Sequence, residues 1–266
     1  MKSDLDQLLK EHQADALWAT GPAQHNAAMV YLTGGGHMTQ ADAIKLRGKP
    51  ILLCHAPMER EEAARTGLQT LNYSKYPLKE RLKLAEGDRL TAHALLYKQI
   101  FTEIGLTRGK VLVYGKSDVG KHYAILRRLG EMLPDLQFIG DLEDAVLLQA
   151  MATKETGEIE RIRQMGKTVL NVVSRVAAFL TSHKVVNEVL TQPDGKPLLI
   201  GDVKKKINLW LAETGAENPE DTIFAIGRDA GIPHSSGTPT DPLRLVQTMV
   251  FDIFPCEKGG GYFYDF

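Results

Sequence analysis

The chain has 266 residues, with 32 lysines and arginines against 33 aspartates and glutamates, so its formal net charge is −1. This balance argues against a protein that binds nucleic acid through bulk positive charge. The longest uninterrupted apolar run is six residues, Ala27–Leu32, whereas a membrane-spanning helix needs about 20. We therefore expect neither a nucleic-acid partner nor a membrane partner.

The cysteine content and the first residues predict the compartment. Cys54 and Cys256 are the two cysteines of the sequence, which is too few for a disulfide framework. The opening run Met1–Asp6 is too polar and acidic for the hydrophobic region of a signal peptide. We therefore expect a cytoplasmic protein.

The first half of the sequence alternates short strand patterns with helical patterns. Leu5, Leu8 and Leu9 mark a first helical face. Strands are then predicted at 15–20, 50–55, 110–114 and 137–139, and helices at about 25–32, 58–65, 89–104 and 118–132. Strands that alternate with helices of this length predict an α/β domain, with a mixed sheet and helices packed on it.

The pattern changes near Lys154. Apolar residues recur at spacings of three and four from Ile159 to Leu180, which predicts one helix of more than six turns. A second helix is predicted to begin near Asp202, a residue type favoured at the N-cap, and to end around Gly215. We therefore expect two domains, at 1–148 and 149–266.

Two acidic residues near the end of the sequence are predicted to face each other. Runs of high β propensity flank a Gly-rich turn, which indicates a hairpin. If Cys256 pairs with Gly261, Asp252 lies directly opposite Asp265, with Cβ atoms about 4.5–5.5 Å apart. Such a pair needs a shared proton or a bound cation, and two carboxylates can clamp two divalent ions. The alternative is that both acids face solvent.

His234 is the other candidate near this hairpin. It follows Pro233 in a polar loop that we expect between two strands. A single histidine is more often a packed or surface residue than a catalytic one, so its position alone leaves its role open.

These residues resemble the motifs of a known family. Pro233-His234, Val250-Phe251-Asp252 and Gly261-Tyr262-Phe263-Tyr264-Asp265 are similar to the "PH … D … G-Y-x-x-D" run of the M24 metallopeptidases. That family includes Xaa-Pro aminopeptidase, prolidase and methionine aminopeptidase. The resemblance implies that the second domain has the α+β pita-bread fold of the family's catalytic domain.

The resemblance extends towards the beginning of the chain. The run Thr153–Arg163 is similar to the "K-x-x-x-E-I-x-x-I-R" helix of the family. Asp15-Ala16-Leu17 and Tyr31-Leu32-Thr33-Gly34 resemble the creatinase/prolidase-type N-terminal domain, which methionine aminopeptidase lacks. The resemblance therefore favours the Xaa-Pro aminopeptidase and prolidase branch of the family.

The resemblance implies a role for each candidate residue. Asp252 would ligate one metal ion, Asp265 would bridge two, and His234 would stabilise the developing oxyanion. The cofactors would be two divalent ions, for which Mn²⁺, Co²⁺ and Zn²⁺ all suit oxygen and imidazole ligands. A hydroxide bridging the metals would attack the scissile carbonyl of a peptide with proline at or next to that bond. Family members commonly form dimers or larger assemblies, so a homodimer or higher oligomer is expected.

The sequence departs from the family pattern in three ways. Phe254 stands two residues after the first aspartate, where the family usually has glycine, and the interval between the two aspartates is two residues longer. The family's later metal-binding histidine and two metal-binding glutamates have no counterparts before Phe266. We therefore expect a C-terminally truncated enzyme, an incomplete pita-bread domain with an incomplete metal site, and no activity from these 266 residues alone.

Two other functions remain compatible with the motifs. One is a non-catalytic scaffold of the same fold, and the other is a metal-free, creatinase-like amidinohydrolase. Both fit a site that has lost its metal ligands, so the presence of Asp252 and Asp265 favours the metallopeptidase.

Overall fold

A computed structural model describes Lys2 and residues 4–266. The chain forms two compact units, one up to Thr153 and one from Lys154 to Phe266. The predicted boundary at 148/149 falls inside a helix, Ala145–Ala152, that packs in the first unit. In the part of the chain that the structure describes, no helix is both long and apolar enough to cross a membrane.

The first unit is built on one six-stranded mixed sheet. Its strands are β1 (Ala16–Gly21), β2 (Ala41–Leu46), β3 (Ile51–His55), β4 (Gln69–Asn72), β5 (Gly109–Gly115) and β6 (Leu136–Gly140). They lie in the order β4-β3-β2-β1-β5-β6. The pairs β1–β2 and β2–β3 are antiparallel, whereas β1–β5, β3–β4 and β5–β6 are parallel. The predicted mixed sheet with packed helices is therefore confirmed.

Helices cover both faces of this sheet. They are α1 (Asp4–Glu11), α2 (Ala27–Thr33), α3 (Arg60–Arg65), α4 (Leu78–Leu84), α5 (Arg89–Glu103), α6 (Val119–Met132) and α7 (Ala145–Ala152). Successive side chains of a strand point to opposite faces. Leu17 therefore packs with α1, α2 and α7, while its neighbour Trp18 packs with α5 and α6. Because both faces are covered, the residues of β1, β2 and β3 are almost all buried rather than alternating between buried and exposed.

The second unit packs two helices against a short antiparallel sheet. Its elements are α8 (Thr156–Thr181), β7 (Lys184–Val186), β8 (Val189–Thr191), α9 (Ile200–Glu213), β9 (Thr222–Ile226) and β10 (Met249–Ile253). The apolar stripe of α8 and the inner face of α9 form a core with Phe224 and Ile253. Strands β9 and β10 pair with each other, and β7 pairs with β8.

Most of the elements predicted from periodicity are present, but one start point was wrong. The predicted N-cap Asp202 lies inside α9, which begins at Ile200. Its carboxylate accepts a hydrogen bond from the backbone N–H of Leu199, 3.2 Å away. Asp202 therefore satisfies a free N–H at the helix start from within the first turn.

Gly115, at the end of β5, provides a test of this packing. Its φ is +114°, and a Cβ atom would lie 2.1 Å from the carbonyl oxygen of Thr20 on β1. We expect Gly115→Ala to lower the free energy of unfolding of the first unit by about 3 kcal/mol or more, because the strand ends must separate. Urea denaturation followed by the fluorescence of Trp18 would measure the loss.

Gly105 is the matched control for this substitution. It also has a positive φ, +79°, but no atom lies within 4 Å of the Cβ position. Gly105→Ala should therefore cost only the left-handed backbone penalty, about 1–2 kcal/mol. Equal losses in the two variants would show that the close approach at Gly115 is unimportant.

Candidate functional site

Asp252 lies on β10, one of the two strands that form the floor of the candidate site. It pairs with Ile223 of β9, and β propensity in the run Met249–Ile253 explains why a strand forms here. The side chain is half-buried, and its Oδ1 atom is buried without a hydrogen-bond partner. A buried oxygen left unpaired costs free energy unless a ligand or ion satisfies it.

Asp265 lies near Asp252 but not directly opposite it. Ile253 and Phe266 exchange two backbone hydrogen bonds, of 3.2 and 3.1 Å, and Cys256 bridges to Phe263. In this register Asp265 faces Phe254, so Asp252 is its diagonal neighbour on the same side. The predicted pairing of Cys256 with Gly261 was therefore wrong by two residues. Because the shift is even, the two acids still share one face.

The two carboxylates interact electrostatically. Burial raises the pKa of Asp252, and the negative charge of Asp265 and a hydrogen bond with that side chain raise it further. The pair therefore resists holding two negative charges. Either a proton or a cation would relieve this repulsion.

The turn at residues 257–261, which precedes the segment with Asp265, is attached to α8 by a charged contact. The Nη2 atom of Arg161 lies 2.7 Å from Oε2 of Glu257, and its Nε atom donates to the same carboxylate at 3.1 and 3.2 Å. That carboxylate also accepts from the backbone N–H of Tyr262 at 2.9 Å. Burial alone would raise the pKa of Glu257, but these hydrogen bonds and the charge of Arg161 hold it below its usual value.

Aromatic residues after the turn add further contacts with α8. The guanidinium of Arg161 stacks over the ring of Tyr262, 4.7 Å from its centroid, and the Tyr262 hydroxyl donates to Glu158. The ring of Tyr264 lies against Gly166, where a Cβ atom would come within 2.7 Å. These roles were not predicted from the sequence, although Glu158 and Arg161 stand three residues apart, a spacing that puts both on one helix face.

His234 is held in a tight turn beside β9. The turn Ile232–Ser235 is closed by a 3.1 Å hydrogen bond from the Ser235 N–H to the Ile232 carbonyl. Pro233 at its second position and a φ of +60° at His234 follow the type II pattern. Gly237 then lets the loop approach β9, because a Cβ there would lie 2.1 Å from the Phe224 carbonyl.

A cavity of about 390 Å³ brings His234 and Asp252 together. Its walls include Ile223 and Val250 from the paired strands and Asp229 from the loop. His234 is exposed, whereas Asp252 is half-buried. The arrangement therefore places an imidazole and an unpaired carboxylate oxygen around one small apolar space.

Cys256 is not part of this arrangement. It is buried, and its backbone N–H and carbonyl exchange hydrogen bonds with those of Glu217, both 2.9 Å long. Burial raises the pKa of its thiol to about 11. The group is thus a protonated thiol at neutral pH, which is a poor metal ligand.

The acid pair fits two of the ligands of a divalent metal centre. Carboxylate oxygens suit such ions, and the buried, unpaired Oδ1 of Asp252 is an oxygen that a cation would satisfy. Within Lys2 and residues 4–266, however, no group of three or more acidic, histidine or cysteine side chains is placed to hold a metal ion. The described residues would therefore supply only part of such a centre.

Comparisons with known proteins show the fold. No protein-family profile matches the chain, and a search of curated proteins found no relative. Solved structures do match. Prolidase from Pyrococcus furiosus covers 100% of this chain with a TM-score of 0.64 and 15% identity, and X-Pro aminopeptidase from Thermotoga maritima covers 100% with a TM-score of 0.63 and 16% identity. A variant of Escherichia coli aminopeptidase P covers 100%, with a TM-score of 0.65 and 13% identity.

These structural neighbours are M24 metallopeptidases, so the resemblance of the sequence motifs is confirmed at the level of the fold. The chain spans 68% of the length of the first of them, 63% of the second and 61% of the third. Identities of 13–16% show a shared fold and leave the activity to be argued from the site.

Arg161→Ala tests the attachment of the turn to α8. The substitution would leave the half-buried Glu257 carboxylate without its cation, so we expect the second unit to lose about 2–3 kcal/mol of unfolding free energy. Arg163→Ala is the control, since Arg163 pairs with Glu160 at 58% exposure of both side chains and should cost less than about 0.5 kcal/mol. Denaturation followed by Trp210 fluorescence would measure both. Equal losses would contradict an anchoring role for Arg161.

Asp252→Asn tests the repulsion in the acid pair. The pKa of Asp252 is raised in the folded state, so the unfolded state releases this proton at a lower pH. Ionisation of Asp252 therefore lowers the stability of the folded state as the pH rises above the ordinary pKa of an aspartate, about 3.9. The variant should be more stable than the unmodified metal-free chain at pH 7, by up to about 1 kcal/mol. It should gain nothing at pH 3.

Unfolding free energies at the two pH values would measure the difference. Asp135→Asn is the control, because it removes an exposed carboxylate from the first unit. A loss of stability in Asp252→Asn at pH 7, or a gain that persists at pH 3, would contradict the electrostatic interpretation.

Proposed function

We propose that this chain is part of a metal-dependent exopeptidase of the Xaa-Pro aminopeptidase/prolidase type. The observation that carries the proposal is the buried, unpaired Oδ1 of Asp252 beside a second carboxylate and at the edge of a cavity that His234 also lines. The fold of the structural neighbours supports it, because their names identify prolidase and X-Pro aminopeptidase. The proposed substrate is a peptide with proline at or next to the scissile bond.

Each candidate residue takes a defined role in this proposal. Asp252 would offer its unpaired oxygen to one metal ion, and Asp265 would offer a carboxylate shared by the two ions. Manganese, cobalt and zinc all suit these ligands. Bound divalent ions would polarise the scissile carbonyl and provide a nucleophile from water at neutral pH.

His234 and the cavity act on the substrate. The exposed imidazole of His234 is placed to donate a hydrogen bond to the oxyanion that develops from the scissile carbonyl. The type II turn holds the ring at the cavity, so little reorganisation is needed when the charge appears. The apolar walls formed by Ile223 and Val250 would exclude water from one side of the substrate.

The remaining ligands are proposed to lie in sequence outside these 266 residues. The chain spans 61–68% of three structural neighbours, and its described residues offer no third ligand to the acid pair. We propose that the second unit, Lys154–Phe266, is the first half of a pita-bread catalytic domain. The first unit would be a creatinase/prolidase-type N-terminal domain, and the whole enzyme a homodimer or larger assembly.

Manganese binding by the purified chain tests the metal-ligand roles. Because only two carboxylates are supplied, we expect weak Mn²⁺ binding and no detectable hydrolysis of Xaa-Pro peptides. Asp252→Asn and Asp265→Asn should each weaken the binding roughly tenfold or more. Electron paramagnetic resonance of free Mn²⁺ would give the dissociation constants.

Asp229→Asn is the matched control, because Asp229 lines the same cavity but lies outside the acid pair. It should bind Mn²⁺ as the unmodified chain does. If the two variants of the pair also bind normally, the metal site is wrong and a non-catalytic scaffold becomes the better function. Xaa-Pro hydrolysis by the 266-residue chain would instead refute the proposal that further ligands are required.

A further inference from the structure

The first unit contains a second cavity, which the proposed peptidase reaction does not use. Its volume is about 760 Å³, and it lies where β1 and β5 end. These strands are parallel neighbours at the centre of the sheet. From β1 the chain passes through α2 to β2 on one side, and from β5 it passes through α6 to β6 on the other. In open α/β sheets, such a divergence beyond the carboxyl ends of the strands is where ligands bind.

The strand ends are shaped so that polar groups reach this cavity. Gly21 and Gly115 have φ values of +115° and +114°, which side chains rarely adopt. The backbone N–H of Lys116 then donates to the Thr20 carbonyl at 3.1 Å, which joins the two ends. As a result Thr20, Lys116 and Ser117 all line the cavity.

One wall carries a buried polar atom that has no partner. The Nε2 atom of His122, on α6, is buried and makes no hydrogen bond, and His122 lines the cavity. Its ring lies 5.3 Å from that of Trp18, which holds it in place. Burial lowers the pKa of His122, so the ring is neutral at pH 7 and offers either a donor or an acceptor.

Two opposite charges also line the cavity without neutralising each other. Lys116 follows β5 and Asp144 begins α7, and neither forms an ion pair within the described part of the chain. Asp144 occupies the N-cap position of α7, with a φ of +49°, yet its side chain makes no capping hydrogen bond. Its carboxylate is therefore available to a ligand.

The rest of the lining is apolar and partly open to solvent. Val119 and Leu148 are 83% and 59% exposed, and Leu126, Leu147 and Met151 extend the apolar surface. Apolar side chains exposed around a pocket with a few convergent polar groups are typical of small-molecule sites.

We propose that this cavity binds a zwitterion with an apolar side chain, that is, a free apolar amino acid or a short apolar peptide. Lys116 contacts the carboxylate of the ligand, Asp144 contacts its ammonium group, and His122 hydrogen-bonds to its polar end. The side chain of the ligand packs on Leu126 and Leu147. The site contains no residue of the proposed metal centre, so it is independent of the peptidase proposal.

Calorimetric titration of the intact chain with L-leucine and with leucyl-leucine tests the proposal. We expect saturable binding of at least one of them, and the tighter of the two identifies whether the amino acid or the peptide is the ligand. Lys116→Ala and Asp144→Asn should each weaken the binding roughly three- to tenfold. Lys79→Ala is the control, since it removes an exposed lysine of the same unit that does not line the cavity.

Two modified ligands separate direct contacts from a general structural effect. Leucinamide lacks the carboxylate, so its affinity should not respond to Lys116→Ala. N-acetyl-leucine lacks the ammonium group, so its affinity should not respond to Asp144→Asn. Fluorine NMR of the fluorotryptophan-labelled chain gives a second readout, in which leucine should move the resonance of Trp18 and leave that of Trp210 unchanged.

Three results would overturn the proposal. They are the absence of saturable binding of both ligands, unchanged leucine affinity in both charge variants, and a response confined to Trp210. Loss of Mn²⁺ binding in the second unit would not affect this test, because no residue is shared between the two sites.

Discussion

The contact between Arg161 and Glu257 is the constraint on which the candidate site depends. The carboxylate of Glu257 receives hydrogen bonds from the guanidinium and from the backbone N–H of Tyr262, so it joins helix α8 to both sides of the turn. A charged, multiply bonded contact of this kind is stronger and more directional than a neutral hydrogen bond. It decides where the turn lies, and the turn decides which residue faces Asp265.

The sequence predicted helices and strands well wherever the apolar spacing of a single segment was enough to identify the element. Helix α8 and strand β3 were predicted from apolar spacing because their apolar residues follow one regular pattern within a single segment. Strand β2, which the sequence analysis did not identify, contains Asp42 and Lys45 at buried positions. Asp42 accepts a hydrogen bond from the indole of Trp18, and Lys45 pairs with Asp6. These partners are distant in sequence, so no local pattern indicates that the charges are buried.

The register of the turn was not predictable for a related reason. The sequence offers three consecutive glycines after Lys258, and several turns can be drawn through them. The structure uses Gly259 and Gly260 at φ values of +82° and +72°, and the ends of the turn are fixed by Arg161, nearly a hundred residues earlier. Turn propensity therefore predicted the existence of the hairpin, while a tertiary ion pair set its alignment. The side-chain parity survived because the error was even.

The aligned position of Phe254 explains how two like charges are tolerated on one small sheet. Phe254, rather than Asp252, faces Asp265 across the strands, so the acids are diagonal neighbours. Diagonal positions are about 7–8 Å apart, against about 4.5–5.5 Å for directly opposed Cβ atoms. The greater separation weakens the repulsion that Asp252 experiences when no cation is present. The two side chains still reach each other across this diagonal, because, besides burial, the charge of Asp265 and a hydrogen bond with it raise the pKa of Asp252, so a cation bound between them would relieve a repulsion that is already present.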